Sequence, residues 1–517
     1  MSDFKIDNNR YFIFCCFVLL FLLTICPFIL FKYPILVDYP NHLASFYIQG
    51  NIDNNQWLSE NYLVKWEIKP YTIIEGLGGI LAKYFDIFLV GKVILISGIV
   101  FICSGALLLR KYINGSIDLW VISIFLFIYN HVLFFGFVNY YVSSGLALVA
   151  MGLWVKLRNI NYIVKVLLFS SISTMLFFCH LYALGIYAIF VVSYELGLIK
   201  YSYDKLSMPN IINIISQFLL PFILFVIWWN GNVKNGVVTF YNYGDLTTKI
   251  VALLSPFSFD YGQNDLLQIL FTLISILVIR IIYPGGVSIY NKMKIPLLTL
   301  LVVIIIMPSS LAGNWGTDFR YPFIFMVLFV VSIKFDENNK NTVYFRRYLL
   351  GLVLVVTCYK IYYVSNIWNR INPQYQEFEN ALQYVSPGSK VLTVQNDTGN
   401  LSGLDARLYH HMSALSIIQR STFWPNLFTY VTPIYPTIKT EHIDTAWGSQ
   451  LTVDDLVSNK YKNGYTYAPH AKVYWENWTQ DFDYLISIRF ENLSTIDIKN
   501  LKLKFRGSFF DIYQIVH

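Results

Sequence analysis

The chain has 517 residues, of which 56% are hydrophobic and only 13% charged, with a formal net charge of +7. A soluble protein of this length carries roughly a quarter charged residues, so a wholly soluble protein is excluded. The positive charge is too small and too dispersed over loops for nucleic acid, and several apolar runs of membrane length point to a multi-span membrane protein.

Lys5 and Arg10 precede the first apolar run, which extends from about Tyr11 to Phe31. The start resembles a signal peptide, but the run is longer than a typical h-region and no small-x-small cleavage site follows. We therefore expect an uncleaved anchor with a cytoplasmic N-terminus. Just beyond it stands Val37-Asp38-Tyr39-Pro40-Asn41-His42-Leu43. Pro40 favours an extended residue before it and suits the first turn of a helix after it. Asp38 and His42 are four apart and then share a helix face. This holds a carboxylate in a fixed loop just outside the membrane, with an imidazole behind it. The plainer reading is an Asp–Pro turn capping an interfacial helix.

Residues 32–70 are polar and aromatic, with Trp57 and Trp66 suited to the bilayer interface. Residues 71–86 are apolar but interrupted by Glu75, Lys83 and Asp86. We read them as a juxtamembrane or re-entrant helix, a true span being the alternative. Spans follow at roughly 87–109, 117–135, 139–157, 162–179, 181–199 and 211–229, then near 265–283, 295–311, 320–334 and 348–366. With the anchor the count is about eleven. Arg110/Lys111, Lys156/Arg158, Lys200/Lys205, Lys292/Lys294 and Lys340/Arg346/Arg347 then all fall in cytoplasmic loops. Counting 71–86 as a span reverses every later loop and breaks that pattern.

An odd count from a cytoplasmic start puts 367–517 outside. No membrane-length apolar run occurs there. Gln374–Tyr384 and Arg407–Gln419 read as helices, and Lys390–Val394, Tyr484–Arg489, Leu501–Phe505 and Phe510–Val516 as strands. The expected fold is thus a polytopic α-helical membrane protein with a C-terminal extracytoplasmic α/β domain. Residues 1–366 form the membrane domain, with outer loop 32–86, and 367–517 the outer domain. Cys15, Cys16, Cys26, Cys103, Cys179 and Cys358 all lie in apolar segments, so the outer domain has no disulfide framework or thiolate metal site. Heavy use of Ile, Tyr, Phe, Asn and Lys suggests an AT-rich, bacterial coding sequence. The Asn-x-Ser/Thr matches at Asn396, Asn400, Asn477 and Asn492 then read as chance.

With this topology the chemistry-bearing residues collect on one side. Asp38 and His42 lie in the first outer loop, His131 and Asn139 at the next outer turn, His180 at a tight turn, and Asp318 and Arg320 in a later loop. An ionisable group near hydrocarbon costs roughly 2.5–3.5 kcal/mol on insertion scales, so it usually marks a site or pathway. Each also has a plainer reading. Asp318 and Arg320 can simply pair, His180 can cap a helix, and His131 and Glu195 can serve packing. A second carboxylate paired with Asp38, which glycoside hydrolysis normally needs, is not evident. No Gly-rich phosphate loop indicates a nucleotide donor. One base plus cations suits a single displacement: the base takes a proton from an acceptor hydroxyl and the cations stabilise a departing phosphate.

The arrangement resembles the GT-C superfamily of integral-membrane glycosyltransferases, which use polyprenyl-phosphate-linked sugars. Its members place an acidic residue in the first extracytoplasmic loop, follow it with juxtamembrane helices, and often end in an extracytoplasmic domain. The resemblance implies that Asp38 is the catalytic base and that basic groups of later outer loops meet the donor phosphate. Arg320, helped by His180, is expected there, because a planar guanidinium gives phosphate bidentate, charge-assisted hydrogen bonds. His42, Asn41, Tyr39 and Asp318 are expected to contact the acceptor or support the site. Arg407, His410, His411 and Trp424 are expected to shape an acceptor groove, with no motif for a chemical role. Many members carry two acids close together, whereas this chain has Asp38-Tyr39, which leaves divalent-metal dependence and acceptor geometry open. Within the superfamily the chain looks most like bacterial surface-polysaccharide enzymes, including phage-encoded serotype-converting glucosyltransferases of O-antigen. The implied partners are a polyprenyl-phosphate-linked hexose such as glucose, a glycan acceptor such as the O-antigen of lipopolysaccharide, and membrane lipids. Nucleic acid is not among them. The implied place is the bacterial inner membrane with a periplasmic C-terminal domain. An O-antigen polymerase usually has its large outer segment between spans, and a flippase predicts internal repeats and midplane charges. Neither pattern is evident here.

Overall fold

The computed structural model describes residues 2–202, 208–234, 241–311, 314–395, 406–429, 431–443, 451–458, 474–488 and 500–517. Lys205, Arg489, Asn396, Asn400 and Asn492, named above, lie outside the described residues. In chain order the first helices are α1 (Ser2–Leu30), α2 (Tyr39–Asn51), α3 (Gln56–Asn61), α4 (Thr72–Ala82) and α5 (Ile87–Asn114). Strand β1 (Tyr62–Val64) precedes α4. Next come α6 (His131–Phe134), α7 (Val138–Lys156), α8 (Tyr162–Cys179), α9 (Leu181–Ser202) and α10 (Met208–Lys234). Helices α11 (Leu246–Leu254), α12 (Gln263–Ile282), α13 (Asn291–Ile306), α14 (Thr317–Ser332) and α15 (Lys340–Ala381) complete the apolar part.

Among the described residues eight helices are long and apolar enough to cross a membrane: α1, α5, α7, α8, α9, α10, α12 and α15. They coincide with eight of the segments read as spans. Two more, 295–311 and 320–334, correspond to α13 and α14, of 16 residues each, or about 24 Å. The segment 117–135 departs from expectation. It is a 3₁₀ stretch, Leu119–Phe127, followed by the single turn of α6. Its residues from Trp120 to Phe135 are buried, so its apolarity serves protein packing, and its β-branched and aromatic residues are weak helix formers. The segment 71–86 yields the 11-residue α4, too short to span, as a juxtamembrane helix requires.

The chain divides into two compact units. One comprises Met1–Leu30 and Leu95–Ser365, the other Phe31–Ile94 and Asn366–His517. In the first, buried Arg110 grips Asp118 through Nε (3.0 Å) and Nη2 (2.6 Å) and donates to the carbonyls of Val331 and Ile333. Those carbonyls end α14, so the arginine fills acceptors that the helix leaves open. Glu195 accepts the Trp154 indole N–H (2.9 Å) and pairs with Arg158 (3.3 Å), the packing role the sequence allowed. His131 lies among Phe134, Phe135, Tyr261 and Phe319 with Nδ1 2.7 Å from the Phe259 carbonyl. It too is structural.

The second unit draws on both ends of its sequence. Strands β2 (Val391–Gln395), β4 (Tyr484–Ile488), β5 (Leu501–Arg506) and β6 (Phe510–Ile515) form a sheet ordered β5-β6-β4-β2, with β2 and β4 parallel and the other pairs antiparallel. These are the four expected strands. Gln374–Tyr384 is not a separate helix, since its first part continues α15. The expected helix Arg407–Gln419 breaks into two 3₁₀ turns and the short α16 (Leu415–Arg420). The sequence grouped loop 32–86 with the membrane domain, whereas here it packs with the C-terminal residues. Strand β1 pairs antiparallel with β3 (Ile434–Pro436), Tyr62 Oη donates to the Thr422 carbonyl (3.2 Å), and Asn372 bonds both backbone groups of Tyr33. A polar loop must satisfy its backbone, and in this unit it does so on the C-terminal segment.

Helices α2 and α4 meet unusually closely. A Cβ on Gly78 would stand 2.4 Å from the Phe46 ring, and one on Gly79 2.6 Å from Gln49 Cβ. The glycines let α4 press onto the face of α2 that carries His42, Ser45 and Gln49.

Candidate functional site

Asp38 is the residue before α2, with Pro40 in the first turn and the Asp38 carbonyl accepting from Asn41 N (3.1 Å) and His42 N (3.2 Å). Its side chain makes no cap hydrogen bond. The plainer reading of a capping aspartate therefore fails, because the carboxylate is turned elsewhere. Its Oδ1 lies 3.4 Å from His411 Nε2, and the side chain keeps 16% of its surface exposed. His411 is held edge-on by Trp424 and Phe428. Asn41 is fully engaged: Oδ1 accepts from Phe428 N (3.0 Å), and Nδ2 faces the Asn426 carbonyl (2.9 Å) and His411 Nδ1 (3.2 Å). Asn426 in turn accepts from Tyr474 Oη (3.1 Å).

His42 does not turn toward Asp38. Its Nδ1 is 2.9 Å from Glu75 Oε1, and Glu75 Oε2 accepts from Ser45 Oγ (2.6 Å) and Gln49 Nε2 (3.4 Å). Glu75 is fully buried. His42, Ser45 and Gln49 lie on one face of α2 at i, i+3 and i+7, so the sequence could have shown a polar stripe facing a helix with one acid. Tyr39 is buried with its hydroxyl against Gly91, where burial pushes its ionisation up. Its hydroxyl has no hydrogen-bond partner among the described residues. Near the start of α4, Lys69 Nζ donates to the Thr432 carbonyl (2.5 Å) and the Tyr435 hydroxyl (3.1 Å), and burial pushes its ammonium down to about 8.

The first unit holds the other expected residues. Arg320 lies in the first turns of α14, with its guanidinium over Phe137 (4.5 Å), Tyr182 (5.0 Å) and Tyr140 (5.9 Å). Its Nη1 donates to the Trp315 carbonyl (3.1 Å), while its buried Nε has no partner among the described residues. Asp318 is not its mate. That carboxylate pairs with Lys249 Nζ at 3.2 Å, which sets aside the plainer reading of an Asp318–Arg320 pair. No acid neutralises Arg320 among the described residues, and cation–π contacts with three rings hold it instead. His180 separates α8 from α9, and its Nδ1 accepts the Tyr182 N–H (3.2 Å). Burial, then the Arg320 charge, lowers its ionisation well below the usual histidine range. The ring is therefore neutral with its proton on Nε2.

Asp38, Asn41, His42 and His411 belong to one unit, and Arg320, His180 and Asp318 to the other. Sequence reading missed Glu75 and Lys69 and gave His411 no chemical role. Among the described residues no three His, Cys, Asp or Glu side chains gather as a metal-ligand set.

No family model matches this sequence, and no curated protein matches it. Among solved structures, ArnT from Cupriavidus metallidurans in the apo state is similar at 8% identity and TM-score 0.49, over 99% of this chain and 98% of that one. ArnT bound to undecaprenyl phosphate is similar at 8% identity and TM-score 0.50, over 98% of this chain and 97% of that one. The chain has the ArnT-like GT-C fold. In this fold Asp38 stands in the stretch after the first long helix, α1, and the short helix α4 follows it. It is a multi-pass membrane protein whose C-terminal region carries a four-stranded β-sheet.

Proposed function

We propose that this protein is a glycosyltransferase that moves a sugar from a polyprenyl-phosphate carrier to a hydroxyl of a cell-surface glycan or lipid-linked acceptor. The GT-C fold, shared with a protein crystallised with undecaprenyl phosphate, supports the donor class. The observation that carries the chemistry is Asp38: a carboxylate at the start of a helix, released from capping and partly open to solvent. A sugar hydroxyl is a poor nucleophile at neutral pH. Asp38 takes its proton as the oxygen attacks the anomeric carbon, and the bond from that carbon to the phosphate oxygen breaks. Attack opposite the leaving group inverts the centre in one step. The carrier leaves as a phosphate whose growing charge needs donors. Arg320, with unfilled donor capacity, and neutral His180 suit that role on the geometry of their own cluster. In this reading 367–517 lies in the periplasm, a hexose such as glucose is moved, and the acceptor is an O-antigen-type glycan.

Asp38→Asn keeps shape and hydrogen bonding but removes basicity. Sugar transfer from a polyprenyl-phosphate donor by membranes with matched protein levels should fall by roughly 10²–10⁴-fold. Turnover within a few-fold of the native protein would end the proposal. A protein that moves lipid-linked sugar across vesicles without transferring it would be a flippase instead.

A further inference from the structure

Asn41 decides which nitrogen of His411 carries a proton. The Phe428 N–H can only donate, so the amide atom of Asn41 facing it at 3.0 Å is the oxygen. The Asn426 carbonyl can only accept, so the atom facing it at 2.9 Å is the nitrogen. That fixes the amide against flipping and points its second N–H at His411 Nδ1, 3.2 Å away. An amide NH₂ offers no lone pair there, so Nδ1 must accept, and in the neutral ring the proton sits on Nε2. Nε2 is the atom 3.4 Å from Asp38 Oδ1. The histidine, the asparagine and the aspartate belong to the same unit, although His411 comes 370 residues after Asn41.

Resting on the glycosyltransferase reading above, we infer that His411 is the positioning residue of the transfer. Held by Asn41 as the Nε2–H tautomer, it presents that proton to Oδ1 of Asp38 and leaves Oδ2 to the acceptor hydroxyl. The 3.4 Å separation is long for a hydrogen bond, as hydrogen bonds at such sites often are before substrate tightens them. During the step Asp38 gains the acceptor's proton and His411 keeps its own. Its Nδ1 is occupied by a donor, so the ring orients the base and does not relay charge. The selective value of the arrangement is geometric: a carboxylate free to rotate at the start of a helix is held in one plane.

The two amide replacements of His411 separate this from a packing role. The side-chain NH₂ of Gln reaches about as far as Nε2 and can still donate to Asp38. The shorter Asn places its polar atoms near Nδ1, keeps the Asn41 contact and loses the donor. His411→Asn should lower kcat by about 10- to 100-fold, the loss expected for one hydrogen bond to a charged group, with KM for the donor within a few-fold. His411→Gln should recover most of that rate. In single-turnover assays His411→Asn should add no further loss to Asp38→Asn, because its effect passes through the carboxylate. ¹⁵N signals of His411 in the full-length protein should report an Nε2-protonated neutral ring, in Asp38→Asn as well. Native kcat in His411→Asn, an independent loss on top of Asp38→Asn, or an Nδ1-protonated ring would each overturn the inference. Failure of the function itself reads differently. There the native protein transfers no sugar, or Asp38→Asn transfers it at the native rate, while the ¹⁵N tautomer still tests the clamp.

Discussion

Helix α2 begins with two carboxylate–imidazole pairs, Asp38 with His411 and His42 with Glu75, within about one turn of each other. In the second pair the carboxylate is fully buried and takes hydrogen bonds from His42, Ser45 and Gln49. In the first its Oδ1 faces His411 Nε2 at 3.4 Å and the side chain stays partly exposed. Both oxygens of Glu75 are engaged within the protein and closed to solvent, which suits it to holding the helix pair, and the more open Asp38 is the acid proposed above for the chemistry. Arg320 belongs with Asp38 in this contrast. It is buried against three rings, yet its Nε has no partner among the described residues. Buried polar groups are normally satisfied, so the open donor of Arg320 calls for an explanation, which the donor phosphate proposed above supplies.

The contrast is broken most directly at Arg320. Arg320→Ala should cost on the order of 10²–10³-fold in transfer, as loss of a transition-state donor does, and Arg320→Lys should recover only part, since an ammonium lacks the planar fork. Native turnover in Arg320→Ala at equal protein level would assign the residue to packing. Glu75→Gln should behave in the opposite way to Asp38→Asn. It leaves donors of His42, Ser45 or Gln49 without an acceptor and should lower stability by about 1–3 kcal/mol, while turnover per folded molecule stays within a few-fold. A melting temperature unchanged in detergent, with activity lost, would exchange the roles of the two acids.

The smallest effect concerns Lys69, whose ammonium burial holds at about 8 against an ordinary 10.5. Between those two values the unfolded chain binds the proton and the folded protein has released it, so stability rises with pH across the window. The gain is complete above 10.5 and lost as pH falls to 8. Unfolding midpoints measured through this window should rise more in the native protein than in Lys69→Met. Equal slopes would show that Lys69 stays charged and hydrated in the fold.

Membrane character, most of the long helices and the four strands of the C-terminal sheet were legible because they rest on local pattern, a run of apolar residues or an alternation, and solvent reads such patterns directly. Asp38 was legible for a similar reason, since Pro40 marks the start of α2 beside it. Segment 117–135 shows where that logic ends. Hydropathy records a preference for leaving water and does not distinguish a lipid-facing helix from a 3₁₀ segment enclosed by protein. The partners of the site were not legible at all. His411 reaches Asp38, and Lys249 takes Asp318 from Arg320, through contacts 373 and 69 residues apart along the chain. Nothing in the residues between them encodes those meetings. The sequence by itself determined which segments leave water and which acid stands at the start of a helix. Only the tertiary structure decided which polar groups are saturated and which remain open, because hydrogen bonds are satisfied by whatever folding brings within about 3 Å.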